Sequence, residues 1–406
     1  MAVTEPPVFG AASNATTNDQ TRRTNLSLIL SLVHHRGTLT RVELAKATGL
    51  NRSTVATLTS QLGELGFLYE SAPGISASVG RPSPLVHANA ATAALSINPE
   101  TDAITIGLVG LGGKVIKRIR YETPHVPSAQ EATNISAAVI EGMRSELDAS
   151  YRIVGVGIAV PGLVRAEDGM VRYAPHLGWH DEPIAEMVAS ATGYPVAASN
   201  DASLGAGGEI VFGAGRGCLD LVYLNGGASG VGGGVISNGS LLAGVGGYAG
   251  ELGHTLVNSA GSLCHCGASG CLETEVSRTR LLELVGLDRA DIDELEAALA
   301  RSRDSAVQKE IHRQLDFLAV TLRTAVNVVN PQRIVLGGFL STLFALAPER
   351  LQRAVADQSL DGPAQSVSIM RAQLGSDLLM IGAAELAFSA VLTDPAGVMA
   401  RASAMR

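Results

Sequence analysis

Three of the four cysteines stand within eight residues of one another, and this cluster constrains the fold more than any other feature of the chain. Cys264, Cys266 and Cys271 follow His254 at short range. The spacing is too tight for a disulfide framework and is typical of a metal site in a reducing compartment. Three thiolates and one imidazole fill a tetrahedral zinc shell and leave no position for a catalytic water. We therefore predict one structural zinc ion per chain.

Two neighbouring features support the zinc prediction. Gly267 and Gly270 allow the tight reversal that brings Cys271 back to the other two cysteines. His254 is the better fourth ligand, because His265 stands between two ligating cysteines and would point away. The alternative is three buried free cysteines without a metal. A CxC pair alone leaves that alternative open, but the whole CxCGxxGC pattern behind Gly-Glu-Leu-Gly-His favours the metal.

The N-terminal part of the chain carries the pattern of successive short helices. Apolar residues recur at helical spacing over residues 24–34. Thr40 and Glu43 have the form of a capping box, and the helix that they begin ends at Gly49, a residue that accepts the left-handed conformation of a helix stop. Asn51 is placed to cap the next helix. Helix, glycine-containing turn and helix predict a helix-turn-helix.

The second helix of this motif, over residues 52–63, is the predicted DNA-reading helix. Pro73-Gly74 and Gly80-Arg81-Pro82 flank a polar stretch beyond it, which predicts two short strands and a wing against the phosphate backbone or minor groove. The alternative is an ordinary three-helix packing module whose Ser/Thr/Arg face is merely solvated. The candidate DNA contacts are Arg41, Arg52, Ser53, Thr54, Thr57 and Arg81.

Charge separates this segment from the rest of the chain. Between Arg22 and Thr92 seven Lys and Arg residues stand against three Glu, a net charge of +4, whereas the whole chain carries −8. A basic module on an acidic body is typical of a DNA-binding head on a soluble sensor. A chance fluctuation in composition is the alternative explanation for the charge alone.

The central part of the chain is typical of an α/β protein. Residues 153–162 form a predicted buried strand that runs into a turn, and residues 195–201 form another that ends in the polar pair Asn200-Asp201. Ligands on such sheets bind beyond the carboxyl ends of the strands, which is where both polar ends fall. No run approaches the roughly 20 apolar residues that cross a bilayer, and residues 1–20 do not have the pattern of a signal peptide. We expect a cytoplasmic protein with no membrane segment.

Segments 250–254 and 264–273 resemble the signature of the ROK family (repressors, open reading frames and kinases), and the resemblance extends from Thr24 to Val391. It implies an α/β fold class: a winged helix-turn-helix followed by a two-lobed actin/hexokinase-like (ribonuclease H-like) domain with a structural zinc site. The sugar-binding residues that the resemblance implies are Asn200, Asp201, Glu251, His254 and Glu273. Read without the family, Glu251 and Glu273 are equally explained as exposed loop acids.

The resemblance also assigns finer roles. Asp201 stands where the family's kinases have the base that deprotonates the sugar hydroxyl, and His254 would serve both the zinc and the sugar. Leu177-Gly178-Trp179 resembles the NLGW segment of the family. Trp179 would either line the mouth of the cleft or fill the core, and the sequence does not separate these two interpretations.

The phosphate-binding loop of the ROK kinases is the part of the pattern that this sequence lacks. The family has DxGGT there, with an Asp that orients magnesium and glycines that let backbone amides approach the phosphates. The equivalent segment here is Asn98-Pro99-Glu100-Thr101-Asp102, without either glycine and with two added acids that repel phosphate. A second phosphate segment, residues 228–232, is also altered. We expect ATP binding to fail and assign no catalytic residue.

These interpretations give five predicted segments. They are a disordered tail (1–21), the winged helix-turn-helix (22–90), a first lobe (91–204, completed by a C-terminal helix over 375–392), a second lobe with the zinc site and sugar loop (205–374), and a final tail (393–406).

The expected function is transcriptional regulation of carbohydrate genes, with repression likelier than activation by resemblance. The protein would bind double-stranded operator DNA as a homodimer or homotetramer and change its affinity when a monosaccharide occupies the cleft. Three other classes were weighed: an active ATP-dependent sugar kinase with an added DNA-binding head, a regulator controlled by a protein partner, and a purely structural zinc protein.

Overall fold

A computed structural model describes residues 17–72, 83–227, 230–288 and 290–398. The chain divides into two compact units. The head comprises Met1–Asn89 with Ser389–Arg406, and the body comprises Ala90–Phe388. The sequence-based division between the head and the first lobe lies after residue 90, and residues 389–392, assigned from sequence to the C-terminal helix of that lobe, fall here in the head unit.

The head is a winged helix-turn-helix. Its three strands form one antiparallel sheet in the order β1-β3-β2. The elements are α1 (Thr17–Arg36), β1 (Leu39–Thr40), α2 (Arg41–Thr48), α3 (Arg52–Glu64), β2 (Leu68–Ser71) and β3 (Leu85–Ala88). The connection between β2 and β3 contains the predicted wing tip with Arg81, which lies outside the described residues.

The predicted helix caps are confirmed. Thr40 and Glu43 form both hydrogen bonds of the capping box, and Gly49 ends α2 with a φ of 72°. The Asn51 side chain accepts a hydrogen bond of 2.8 Å from the backbone N–H of Thr54. Because each cap depends on residues at most four positions apart, the local sequence was sufficient to predict it.

The two predicted tails differ from the structure at their inner ends. Residues 17–21 are helical, because α1 begins at Thr17 rather than near Thr24, and Arg23 pairs with Asp19 one turn earlier at 3.1 Å. These first turns are polar, so apolar periodicity did not reveal them. At the other end, Asp394 lies 3.3 Å from Arg23, and its carboxylate accepts a hydrogen bond from the Gly397 N–H. The segment 393–398 is therefore ordered against α1 rather than a tail.

The first half of the body contains a five-stranded mixed sheet in the order β11-β7-β4-β5-β6 and a small antiparallel sheet, β10-β9-β8. The elements are β4 (Thr92–Pro99), β5 (Ala103–Gly110), β6 (Lys114–Glu122), α4 (Ala129–Gly142), α5 (Arg144–Ser150), β7 (Arg152–Val160), β8 (Leu163–Val164), β9 (Val171–Ala174), β10 (Trp179–Glu182), α6 (Ile184–Thr192) and β11 (Val196–Asn200).

The second half contains another five-stranded sheet, in the order β14-β13-β12-β15-β16. The elements are α7 (Asp201–Phe212), β12 (Leu221–Gly227), β13 (Gly230–Ser237), β14 (Ser240–Leu241), α8 (Leu272–Glu275), α9 (Arg278–Leu284), α10 (Ile292–Arg301), α11 (Ser305–Val329), β15 (Arg333–Gly337), α12 (Gly338–Leu346), α13 (Pro348–Gln358), α14 (Asp361–Ser366), β16 (Ser368–Arg371) and α15 (Leu378–Thr393). The predicted lobe boundary at residue 204 falls inside α7, a helix that packs on β12 and β13.

Strand direction determines where the polar ends of the first sheet meet. β4, β7 and β11 are parallel, with Ile97 opposite Ile158 and Asn200 opposite Val160. Every residue of β4 is buried, which is expected for a central strand that is covered on both faces. The carboxyl ends of the three strands therefore lie at one edge of the sheet.

The segment Gly375–Thr393 is long and apolar enough to cross a membrane by length and composition, but a core helix passes the same test. Met380, Ala384 and Phe388 are at most 2% exposed. α15 also approaches β7 closely, because a Cβ on Gly157 would lie 1.8 Å from the backbone oxygen of Ala383. This packing is that of a core helix in a folded domain.

Gly157→Ala is expected to destabilise the body by about 3 kcal/mol or more, since backbone, not a flexible side chain, opposes the added methyl group. The melting temperature should then fall by about 5 °C or more. Gly142→Ala is the matched control, because it lies at the end of α4 with nothing within 4 Å of the added Cβ. An equal loss of melting temperature in both variants would contradict this packing.

Candidate functional site

A cavity of about 340 Å³ lies where the carboxyl ends of β7 and β11 meet the start of β13 and the cysteine-containing loop. This volume lies at the lower end of the range for small-molecule sites. All five predicted sugar-binding residues line it: Asn200, Asp201, Glu251, His254 and Glu273. Residues separated by more than 70 positions are thus brought to one concave surface.

Asn200 has a largely structural role in this arrangement. Its side-chain oxygen accepts a hydrogen bond of 2.9 Å from the Ser203 N–H and caps α7, while its Nδ2 donates to the Gly162 carbonyl at 3.0 Å. One N–H of the amide remains for a ligand. The residue holds the turn after β7 against the start of α7 and so shapes the cavity wall.

Asp201, the first residue of α7, has a strongly perturbed carboxyl group. Its pKa is raised to about 7, mainly by burial; the Ala202 N–H at 2.8 Å lowers the pKa, and the nearby Glu251 carboxylate contributes to raising it. A carboxyl group with a pKa near neutrality can accept a proton from a sugar hydroxyl.

Two further carboxylates face the same space. Burial raises the pKa of Glu251, and repulsion from Glu273 adds to the shift. Glu273 Oε2 accepts a hydrogen bond from the Val231 N–H at 3.0 Å, and its Oε1 lies 2.8 Å from Nδ1 of His265. Gly230 is needed beside it, because a Cβ there would lie 2.2 Å from Glu273 Oε2. These oriented acceptors suit vicinal hydroxyl groups.

The cysteine cluster has the dimensions of a tetrahedral metal site. His254, Cys264, Cys266 and Cys271 bring one donor atom each within 4.8 Å of the others. The Sγ atoms of Cys266 and Cys271 are 3.7 Å apart, and Sγ of Cys264 is 3.6 Å from Nδ1 of His254. Tetrahedral zinc with bonds of about 2.3 Å to sulfur and about 2.05 Å to nitrogen requires roughly 3.8 and 3.6 Å. The residues present fit such an ion.

The loop around this cluster depends on glycine, as its sequence indicated. Gly267 and Gly270 have φ values of 91° and 78°, and a Cβ on Gly270 would lie 1.7 Å from the Asn258 carbonyl oxygen. Burial raises the pKa of the Cys271 thiol to about 12. Three ionised thiols in this space need a cation between them.

Sequence reasoning missed part of the cavity lining. Tyr173 lies in β9 and His176 lies two residues beyond its end, and both line the cavity. The sequence predicts that His265 points away from the cluster, but its Nδ1 lies 3.8 Å from Sγ of Cys264 and 2.8 Å from Glu273, and the residue lines the cavity. A histidine inside the cysteine motif was the available signal for His265, whereas nothing local indicated His176 or Tyr173. Trp179 is 2% exposed and donates to the Pro127 carbonyl at 3.0 Å, so it fills the core and does not line the mouth.

The segment that corresponds to the phosphate loop is a tight, acidic turn between β4 and β5. The Glu100 N–H donates to the Ala103 carbonyl at 2.8 Å, within the turn. Arg120 lies 3.0 Å from Asp102 and 3.7 Å from Glu100, so the two acids share one cation. None of the described residues of this turn lines the cavity.

The candidate DNA contacts lie on and beside α3. Arg52, Ser53 and Thr57 are exposed on it, and Thr54 is half-buried. Arg41, at the start of α2, makes two hydrogen bonds of 2.7 and 2.6 Å to the Glu70 carboxylate. A phosphate contact by Arg41 would therefore have to compete with this ion pair.

The fold defines a class of protein in which a winged helix-turn-helix is joined to a two-lobed α/β domain of the actin/hexokinase type. The chain belongs to the ROK family, which it matches over residues 95–390. Residues 26–72 match the IclR helix-turn-helix domain. Both matches agree with the resemblance that the sequence motifs indicated.

Relatives with two kinds of function resemble the chain. The xylose repressor of Caldicellulosiruptor bescii is 27% identical over 390 residues, covering 92% of this chain and 98% of the repressor. The glucokinase of Thermotoga maritima is 31% identical over 300 residues, covering 70% of this chain and 93% of the kinase. A solved ROK family transcriptional regulator, a homologue of the Escherichia coli MLC protein, superimposes with a TM-score of 0.75 at 24% identity over 92% of this chain and 98% of that chain.

Proposed function

We propose that this protein is a DNA-binding transcriptional repressor of carbohydrate genes whose operator affinity is set by a monosaccharide in the body cavity. The observation that carries the proposal is the convergence of Asp201, Glu251 and Glu273 on one small cavity in a chain with a winged helix-turn-helix. Full-length similarity to a xylose repressor supports the same function.

Zinc is the proposed resident metal, one ion per chain, held by His254, Cys264, Cys266 and Cys271. Its role is structural, because four protein ligands leave no open coordination position. It would fix the loop that carries Glu273 and lower the entropy cost of ordering it around a sugar. The cysteines are free, and the 3.7 Å between Cys266 and Cys271 is too long for a disulfide. A reducing compartment, the cytoplasm, is the proposed location.

Loss of nucleotide binding accompanies this proposal. The β4–β5 turn offers carboxylates and a Glu100 N–H already used within the turn, where a phosphate needs free amides. The proposed role of the body is thus that of a sensor, not a catalyst. Sugar binding would favour one arrangement of the two lobes and thereby one spacing of the heads in a homodimer or homotetramer.

An active sugar kinase with an added DNA-binding head is the second candidate. Its supporting observation is the Asp201 carboxyl group, whose pKa of about 7 suits a general base. A coupled assay with ATP, magnesium and a panel of sugars distinguishes the two functions. Turnover would establish the kinase, and a sugar-binding protein without turnover would support the sensor.

The decisive experiment tests how sugar binding changes operator binding. Thermal-shift screening of the full chain against pentoses, hexoses and their N-acetyl and phosphorylated forms identifies the effector. Operator fragments selected from random DNA are then titrated with and without that effector. A change in operator affinity of about tenfold or more is expected. Unchanged affinity at saturating sugar would contradict sugar control, and capture of a protein that changes the affinity would favour a protein partner.

Arg52→Ala is expected to weaken operator binding by about 5- to 100-fold, since an arginine at the start of a recognition helix contributes roughly 1–3 kcal/mol. Sugar affinity should be unchanged. Arg353→Ala, an exposed arginine on α13 of the body, is the matched control and should leave operator binding intact. Fluorescence anisotropy with the selected operator measures both variants. Equal operator affinity of Arg52→Ala and the unsubstituted protein would exclude Arg52 from the DNA-binding surface.

A further inference from the structure

A second group of candidate metal ligands lies in the cavity beside the cysteine cluster, with Nδ1 of His265 3.8 Å from Sγ of Cys264. His176, His265 and Glu273 each bring a donor atom within 4.8 Å of the others. His176 and His265 are exposed, and Glu273 is half-buried. Two imidazoles and one carboxylate are a donor set that suits zinc, nickel and cobalt.

The geometry of this group is partly preformed. Nδ1 of His265 lies 2.8 Å from Oε1 of Glu273. Two such ligands of a tetrahedral metal ion are about 3.4 Å apart, so a bound metal would move these two atoms apart by about 0.6 Å. The His176 ring stands edge-on to the His265 ring with centroids 5.5 Å apart, so its exposed side chain can supply the third donor. The Val231 N–H holds the other oxygen of Glu273 and keeps the carboxylate in place.

We propose that His176, His265 and Glu273 form a second metal site that binds a divalent transition metal such as zinc reversibly. Three protein ligands leave coordination positions open. A metal in such a site exchanges more readily than a metal held by four protein ligands. A bound metal would take the place of the direct contact between Nδ1 of His265 and Oε1 of Glu273.

The surrounding charge favours a cation at this position. Three thiolates carry one more negative charge than a bound Zn²⁺ neutralises, so the neighbouring cluster remains anionic when it is filled. Glu251 adds a carboxylate that interacts with Glu273. Burial also lowers the pKa of His176, which keeps its imidazole neutral and able to coordinate a metal.

A metal and a sugar would both use the Glu273 carboxylate, so we expect them to compete. This expectation rests on the proposed function. Oε2 of Glu273 is engaged by the backbone, so Oε1 is the oxygen that either a sugar hydroxyl or a metal would use. Metal in the second site should therefore weaken sugar binding about tenfold or more.

The test uses full-length protein that retains its tightly held zinc. Zinc titration by calorimetry is expected to show a second, weaker equivalent, and cobalt added to the same protein should give ligand-field absorption without thiolate charge-transfer bands. His176→Asn and His265→Asn should each weaken this second equivalent about tenfold or more. His180→Asn is the matched control, because His180 is exposed and packs on Tyr173 outside the three-donor group.

Absence of a second equivalent, or its full retention in both His176→Asn and His265→Asn, would overturn the metal site. Sugar control of operator binding tests the proposed function separately, since it needs no second metal. A second equivalent that depends on both histidines establishes the site even if sugar fails to compete. That last result would instead remove Glu273 from the sugar-binding residues.

Discussion

Replacing Cys271 with serine is expected to reduce the zinc content from about one ion per chain to nearly none. Cys271 is 1% exposed and lies 3.7 Å from Cys266, so its replacement removes one of the four proposed ligands from inside the cluster. Structural zinc contributes on the order of 10 kcal/mol in zinc-finger peptides, and its loss here should release the loop between His254 and Glu273. Sugar affinity should fall about 100-fold or more, and the melting temperature by about 5–10 °C.

Cys218→Ser is the matched control. Cys218 is a half-buried free cysteine outside the cluster, and its replacement should preserve zinc content, melting temperature and sugar binding. Elemental analysis after dialysis, thermal unfolding and calorimetry measure the three properties. A metal-free Cys271→Ser protein with full stability and sugar response would show that the cavity does not depend on zinc.

Replacing Glu251 with alanine is the second change with a large expected effect. Its carboxylate lines the cavity, and burial raises its pKa. Hydrogen bonds to charged groups contribute about 1.5–3 kcal/mol each, so losing two acceptor positions should weaken sugar binding about 100-fold or more. Operator affinity without sugar should stay within about twofold, since Glu251 belongs to the body and the candidate DNA contacts belong to the head.

Glu349→Ala supplies the control for Glu251→Ala. Glu349 is an exposed acid in the first turn of α13, and its replacement should change neither ligand affinity. Calorimetry with the effector from the thermal-shift screen and anisotropy with the operator give the two affinities. A Glu251→Ala protein that still releases operator at the same sugar concentration would exclude Glu251 from the sugar site.

Local features of this protein were predictable because they depend on neighbours in sequence. The caps at Thr40, Gly49 and Asn51 use hydrogen bonds within one helical turn. The cysteine cluster was predictable because Cys264, Cys266 and Cys271 are tied by a short loop with left-handed glycines. The start of α1 was not predictable, since its polar helical turns at residues 17–21 show no apolar periodicity.

The sequence by itself determined the class of the head, the cysteine cluster and the polar pair at the end of β11, because capping, cysteine spacing and strand termination are short-range properties. Only the tertiary structure decided which distant groups meet. Tertiary packing places His176 beside His265, pairs Arg41 with Glu70 and buries Trp179 in the core. Such contacts depend on the packing of whole sheets and helices, which the spacing of residues within a short segment does not predict.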